Sequence, residues 1–393
     1  MDDRSEKNIP DNSKYDVISV IDEFDYSTQG KKYNEQFIEW RKRKGNPFSF
    51  SFEKHIKESV YVDGRGFILS SATDAERESL ARIFYILGSA ALMYMVIDNV
   101  IGRLLIILLS QLGFDIHASL FSPAVYGGGT EIICVLMAVN LLKYIVPAAY
   151  LHFRFRLPPA VERMNSRHDT YGLVGAIGVT LIICSLLNLP SAYSNETKEI
   201  YSFFKELNTD VKVWNQTEFV IYAVFDIVIM STLSEIFFRG AMFAVLRQFG
   251  DYFAVIMSTL TAVLLAQDLR EVPAVLLMSL VCSVGMLSSG SIFTAVAASI
   301  VFRIYQLTLA MIETGSSYDM FLTRNIFMLS ALIIGAVMLA AAGLMSRGRD
   351  HRILARSETG LAQKERITRS VMVFPYSAVA AICGVISIIK AVL

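Results

Sequence analysis

Long apolar runs separated by short polar stretches dominate the chain after residue 80. A straight helix needs ~20 apolar residues to cross a hydrocarbon core of ~30 Å, so the pattern predicts about nine membrane helices. We place them at 82–111, 130–152, 171–189, 218–246, 252–268, 272–288, 291–313, 324–345 and 374–393. The fifth and sixth are short, which suits the interior of a bundle better than contact with lipid. We therefore expect an all-α, polytopic transmembrane helix bundle.

Composition supports a membrane protein and argues against a nucleic-acid partner. The 393 residues are 54% hydrophobic, with a mean hydropathy of +0.47 and a formal net charge of zero. Ordinary soluble domains are less apolar than this. The start of the chain is acidic and polar, which predicts no cleavable signal peptide.

Basic residues are distributed unevenly between the two sides of the predicted membrane. With the N-terminal tail in the cytosol, the loops that follow the second, fourth and eighth helices carry most of the arginines and lysines on the same side. This satisfies the positive-inside rule. We expect an integral, multi-pass protein of a bacterial cell membrane with a cytosolic N-terminus.

A charged pair interrupts the fourth apolar run. Glu235 and Arg239 lie i,i+4 apart on one helix face, in the favourable order, at a depth where charges are costly. One interpretation is a self-neutralising pair without further function. The surrounding Ser234-Glu235-Ile236-Phe237-Phe238-Arg239-Gly240 also resembles the E-E-x-x-x-R-G motif of the CAAX-protease and bacteriocin-processing family (CPBP, or Abi). In that family the first Glu activates the attacking water, and here Ser234 stands in its place.

Two further segments extend the resemblance over about residues 218–305. The family's second motif ends in a His, and the matching position holds Gln267, or Asp268 if the alignment slips by one residue. Gly290-Ser291-Ile292-Phe293 resembles the lead-in to a third motif, whose His and Asn positions hold Ser299 and Arg303. The resemblance thus implies a protease fold with all four chemical positions altered.

Depth along the helices links these positions independently of the family. At ~1.5 Å per residue, Glu235, Gln267 and Arg303 lie ~21, ~22 and ~18 Å from the expected cytosolic ends of their helices. We therefore expect one polar pocket near mid-membrane. Because a buried Arg needs an anion, we predict a Glu235–Arg303 ion pair shared with Arg239.

Other intramembrane polar residues leave alternatives open. Asp98, Arg103, Lys143 and Asp226 could pair between helices, for instance Asp226 with Lys143, or line a transport pathway. Asp226 is nine residues from Glu235, so an ideal α-helix would turn it to the opposite face. The four cysteines lie in apolar runs without metal-ligand spacing, and we predict neither a metal site nor a cofactor.

The resemblance divides the chain into four parts and suggests a function. We expect a cytosolic, partly ordered polar tail (1–80), N-terminal helices (81–217), a core like that of the CPBP family (218–315) and C-terminal helices with a basic cytosolic loop at 346–373 (316–393). The leading hypothesis is an inactive pseudoprotease that binds a membrane protein or peptide, with a vestigial pocket of Ser234, Gln267, Ser299 and Arg303. The alternatives are an active endopeptidase using Glu235 and Arg239, and a small-solute transporter.

Overall fold

The computed structural model of the chain describes residues 30–50, 61–62, 66–67, 70–118, 125–164, 169–189, 215–314, 320–347 and 361–392. Within these ranges the protein is almost entirely helical. The helices are α1 Lys31–Lys42, α2 70–111, α3 Gly129–Phe155, α4 Pro159–Arg163, α5 Thr170–Asn188, α6 Gln216–Phe249, α7 Asp251–Ala266, α8 Val272–Ser289, α9 Ile292–Thr314, α10 Met320–Met345, α11 Gln363–Val371 and α12 Tyr376–Val392. The strands form two short antiparallel pairs, β1 Tyr61–Val62 with β2 Gly66–Phe67 and β3 Ile116–Ala118 with β4 Val125–Gly127.

An apolar helix is found at each of the nine predicted positions, which confirms the polytopic all-α fold. By length and hydropathy, seven helices in the described ranges can each cross a membrane, and the bent pair α11–α12 makes up to eight. The pair bends by 75° next to Pro375, whose ring nitrogen cannot donate a helical hydrogen bond. Helix α7 has only 16 residues and lies among α6, α8 and α12, as expected for a short helix inside a bundle.

Small residues allow several helices to approach closely, as is usual in membranes. A Cβ added at Gly178 of α5 would lie 2.9 Å from the carbonyl oxygen of Gly335 in α10. A Cβ at Gly88 of α2 would lie 2.4 Å from the backbone nitrogen of Tyr376 in α12. Glycine at these positions therefore sets how tightly α5 packs on α10 and α2 on α12.

The first long helix begins at residue 70, twelve residues before the predicted start at 82. Hydropathy placed the start too late because the first turns of α2 are polar. One of these polar residues, Glu76, is nonetheless completely buried, and its Oε1 lies 3.0 Å from Nη2 of Arg366 in α11. The ion pair supplies the stabilisation that apolar contacts supply further along the helix.

Part of the N-terminal tail docks on the bundle. In α1, Tyr33, Phe37 and Trp40 are buried, and Trp40 Nε1 donates a hydrogen bond to the carbonyl oxygen of Phe155 at 3.0 Å. The segment after α1 is held by Gln248, which donates to the carbonyl oxygen of Phe48 at 2.9 Å and accepts from the backbone N–H of Phe50 at 2.9 Å. Residues 30–50 therefore contact the ends of both α3 and α6.

Candidate functional site

A cavity of about 640 Å³ lies among α2, α3, α6, α7, α8 and α9. Its wall includes the six side chains that the sequence singled out: Ser234, Glu235, Arg239, Gln267, Ser299 and Arg303. Asp268, the alternative to Gln267, also lines it. The cavity thus brings together residues from three motifs that are up to 69 positions apart along the chain.

Glu235 and Arg239 form an ion pair in the cavity wall. The distance from Arg239 Nε to Glu235 Oε2 is 3.2 Å, and the two side chains are only 3% and 5% exposed. Arg239 Nη2 also donates hydrogen bonds to the carbonyl oxygen of Ser279 at 2.8 Å and to its Oγ at 2.6 Å. The Ser279 hydroxyl in turn donates to Thr259 Oγ1 at 3.1 Å. The guanidinium is therefore fixed between α6, α7 and α8.

Three buried polar atoms in this wall form no hydrogen bond among the described residues. They are Glu235 Oε2, Arg239 Nε and Gln267 Nε2, and the first two face each other in the 3.2 Å ion pair. The carbonyl oxygen of the Gln267 side chain accepts a hydrogen bond from Asn99 Nδ2 at 3.0 Å. Gln267 also adopts a left-handed backbone conformation with φ of 54°, which is uncommon outside glycine. An unsatisfied acceptor and an unsatisfied donor thus line the same cavity.

Ser234 and Cys282 in the cavity wall each bond to a backbone carbonyl oxygen. Ser234 Oγ donates to the carbonyl oxygen of Ser231 at 3.0 Å, within its own helix, as is common for hydroxyls inside apolar helices. Cys282 Sγ lies 3.6 Å from the carbonyl oxygen of Ala295 and also contacts the Glu235 carboxylate. Ser234 is therefore not oriented by a neighbouring base, as an activated nucleophile would be.

Arg303 pairs with Asp226, which corrects the predicted Glu235–Arg303 ion pair. Its Nη1 lies 2.5 Å from both carboxylate oxygens of Asp226. The prediction failed because it assumed ideal α-helical geometry throughout α6. Residues Phe225–Met230 and Ile236–Met242 of this helix are instead π-helical, and their wider i→i+5 turns change the relative rotation of Asp226 and Glu235.

Lys143 pairs with an aspartate of α2. Its Nζ lies 3.2 Å from Asp98 Oδ1, and 5.7 and 5.8 Å from the ring centres of Tyr94 and Tyr144. The pairing of Asp226 with Lys143 stays a prediction. Both members of the Asp98–Lys143 pair line the cavity.

Among the described residues, no group of three or more His, Cys, Asp or Glu side chains is arranged to hold a metal ion. The four cysteines are free thiols, and only Cys134 is exposed. The cavity wall carries carboxylates, guanidinium groups, amides and hydroxyls, together with the Lys143 ammonium group and the Cys282 thiol.

Comparison with protein families identifies the part of the chain that builds most of this site. Residues 216–305 match the family model of type II CAAX prenyl endopeptidase Rce1-like proteins. This segment is Rce1-like. It comprises α6, α7, α8 and most of α9, less than a quarter of the chain, and the resemblance stated from the motifs is confirmed. No curated protein and no solved structure gives a significant match.

The Rce1-like segment does not close the cavity by itself. Asp98 and Asn99 of α2 and Lys143 of α3 complete the wall from outside the matched residues. Asp98 and Asn99 lie in a third π-helical segment, Ile97–Ile101. π-segments are often found at functional sites. The sequence indicated Asp98 and Lys143 as charges within predicted membrane helices. Their positions in the cavity depend on helix geometry, which hydropathy does not predict.

Proposed function

We propose that this integral, multi-pass membrane protein is a pseudoprotease, which binds a membrane protein or peptide segment without hydrolysing it. The match of residues 216–305 to Rce1-like proteins supports a site that binds polypeptide. The altered residues at the expected catalytic positions support the loss of hydrolysis. The proposal therefore separates binding, which the cavity retains, from hydrolysis, which the motif positions no longer support.

Loss of hydrolysis is supported by the side chains at the positions where the family resemblance implies chemistry. Ser234 stands where a water-activating Glu is expected, and its hydroxyl is bonded to Ser231. Arg303 stands where an Asn is expected and is neutralised by Asp226. Losing a general base costs on the order of 10²–10⁴ in rate, and losing an oxyanion donor costs on the order of 10²–10³ more.

Retention of binding is supported by the unsatisfied acceptor and donor in the cavity. Glu235 Oε2 can accept a hydrogen bond and Gln267 Nε2 can donate one. An extended peptide presents backbone N–H and C=O groups of this kind. This pairing in a cavity of about 640 Å³ is the single observation that carries the proposal, because buried polar atoms are normally satisfied.

The same two atoms favour one alternative, an active endopeptidase. Glu235 would activate water in place of the missing Glu, and Gln267 Nε2 would stabilise the oxyanion. We rank this second because the carboxylate already pairs with Arg239, whose Nε lies 3.2 Å from Oε2, whereas a general base must reach the proton that it abstracts.

We keep the membrane orientation that the distribution of basic residues predicts. Helix α1, the end of α3 and helix α11 lie at the same end of the bundle as the α6–α7 turn, and this end carries many basic residues. The positive-inside rule then assigns it to the cytosol.

Photo-crosslinking in membranes of the native host tests binding directly. A photoreactive phenylalanine would replace Phe238, which lines the cavity, and in a control it would replace Phe293, which is 59% exposed on α9. We expect an intact polypeptide to crosslink at 238 and not at 293. A truncated adduct at 238 would favour the endopeptidase, and equal crosslinking at both positions would contradict a specific cavity site.

A further inference from the structure

A second cavity, of about 680 Å³, lies between α1 and the chain segment that joins α3 to α4. It is separate from the Rce1-like segment. Its lining consists of Gln36, Glu39, Trp40, Lys42, Arg43, Arg156, Pro158 and Pro159. We call this the α1 groove.

The α1 groove lies where a membrane-spanning helix leaves the bundle. Helix α3 ends at Phe155, and the hydrogen bond from Trp40 to the Phe155 carbonyl oxygen fixes α1 against this end. The groove therefore lies at the end of a helix that is long and apolar enough to cross a membrane, where headgroups would be within reach. Its opposite wall is Pro158-Pro159, a stiff dipeptide without N–H donors.

The charge of the groove is predominantly positive. Lys42, Arg43 and Arg156 are exposed cations, and Glu39 is the single carboxylate among the lining residues. Among the residues that the structure describes, no carboxylate forms an ion pair with Arg43 or Arg156. Guanidinium binds phosphate oxygens in a bidentate manner, so two such groups in one groove suit a phosphate ligand.

The backbone at Arg156 is unusual in a way that fits a ligand site. Arg156 caps α3 in the left-handed conformation, with φ of 50° and ψ of 45°, where glycine is the usual residue. Its N–H donates to the carbonyl oxygen of His152 at 2.9 Å. Glycine would close the helix with less strain but would place no cation in the groove.

We propose that the α1 groove binds a phosphate group, specifically that of an anionic phospholipid headgroup. Basic pockets between elements at a membrane surface bind such headgroups. Lys42 and Arg43 come from the tail and Arg156 from the transmembrane bundle, so a bound phosphate bridges the two. Lipid binding would then strengthen the docking of α1.

Native mass spectrometry of the full chain in neutral detergent tests this proposal. The protein is titrated with phosphatidylglycerol and, separately, with phosphatidylcholine of the same chains. The test variant is Lys42→Gln/Arg43→Gln/Arg156→Gln. The control variant, Lys32→Gln/Arg347→Gln/Lys364→Gln, removes the same charge at exposed positions outside the groove. A third arm adds millimolar inorganic phosphate as a competitor.

We expect wild type to prefer phosphatidylglycerol. Each cation near an anionic headgroup contributes about fivefold, so the test variant should bind it about a hundredfold more weakly. The control should bind like wild type. If inorganic phosphate displaced the lipid, the groove would still bind phosphate, but its ligand would be a soluble phosphate compound and the lipid proposal would be wrong. Equal losses in test and control variants, or no preference for the anionic lipid in wild type, would overturn the proposal.

Discussion

Two of the buried carboxylate–guanidinium pairs among the described residues are alike in burial and different in surroundings. Glu76 and Arg366 are 0% and 1% exposed, with 3.0 Å between Oε1 and Nη2. Glu235 and Arg239 are 5% and 3% exposed, with 3.2 Å between Oε2 and Nε. Of the two, only the second pair lines the cavity of the candidate site.

The first pair connects distant parts of the chain. Arg366 donates to Glu76, to the carbonyl oxygen of Phe249 at 3.0 Å and to that of Leu361 at 3.1 Å. It thereby joins α2, the end of α6 and the start of α11. The second pair lies one turn apart on a single helix and faces a cavity. Burial of charge alone therefore does not indicate function, whereas a buried pair in a cavity wall points to a ligand.

The largest expected effect is on the connecting pair. Arg366→Met leaves Glu76 as a buried, unpaired charge, which typically costs ~3–5 kcal/mol. We expect a large drop in the midpoint of thermal unfolding in detergent. Glu76→Met/Arg366→Met should recover most of that loss, because apolar replacement of a whole buried pair is often nearly neutral. A double variant no more stable than the single one would contradict a purely structural pair.

A somewhat smaller effect is expected at Arg303, because its side chain is 18% exposed and water offsets part of the ~3–5 kcal/mol cost of a stranded charge. Arg303→Leu should lower the unfolding midpoint, and adding Asp226→Asn should restore much of it. Adding Glu235→Gln instead serves as the control and should restore little. If Glu235→Gln restored the unfolding midpoint of Arg303→Leu and Asp226→Asn did not, the partner of Arg303 would be Glu235 and not Asp226.

Packing between α2 and α12 gives the next prediction. A Cβ at Gly88 would lie 2.4 Å from the Tyr376 nitrogen, so Gly88→Ala forces α2 and α12 apart, and overpacking typically costs ~1–3 kcal/mol. Gly343→Ala is the matched control, since nothing lies within 4 Å of its Cβ. Equal unfolding midpoints for the two variants would show that α2 and α12 do not pack as described.

The smallest effect on stability is expected in the cavity. Gln267→Gly removes the backbone strain of a left-handed residue with φ of 54°, but it also removes the hydrogen bond from Asn99. The two effects on the free energy of unfolding should nearly cancel. Crosslinking at position 238 should nevertheless fall sharply. Unchanged crosslinking would mean that Gln267 takes no part in binding.

The sequence predicted the fold well because hydropathy reports membrane burial directly. It predicted which residues share the cavity because depth follows from the ~1.5 Å rise per residue. It predicted the Glu235–Arg239 pair, which the structure shows, but not that Arg303 pairs with Asp226. The π-turns change the rotation of Asp226 relative to Glu235, and no propensity in the apolar sequence marks them. The Glu76–Arg366 pair was missed because its members are 290 positions apart in segments with the composition of solvated loops.

The most direct test of the central claim is a cleavage assay with detergent-solubilised protein and a tagged peptide mixture. Wild type and Glu235→Ala would be compared with a rebuilt variant, Ser234→Glu/Gln267→His/Ser299→His/Arg303→Asn. Asp226→Asn would be added to the rebuilt variant because Arg303 neutralises Asp226. We predict no cleavage by wild type and measurable cleavage by the rebuilt variant. Cleavage by wild type that Glu235→Ala abolishes would contradict the pseudoprotease and establish an enzyme with a relocated base.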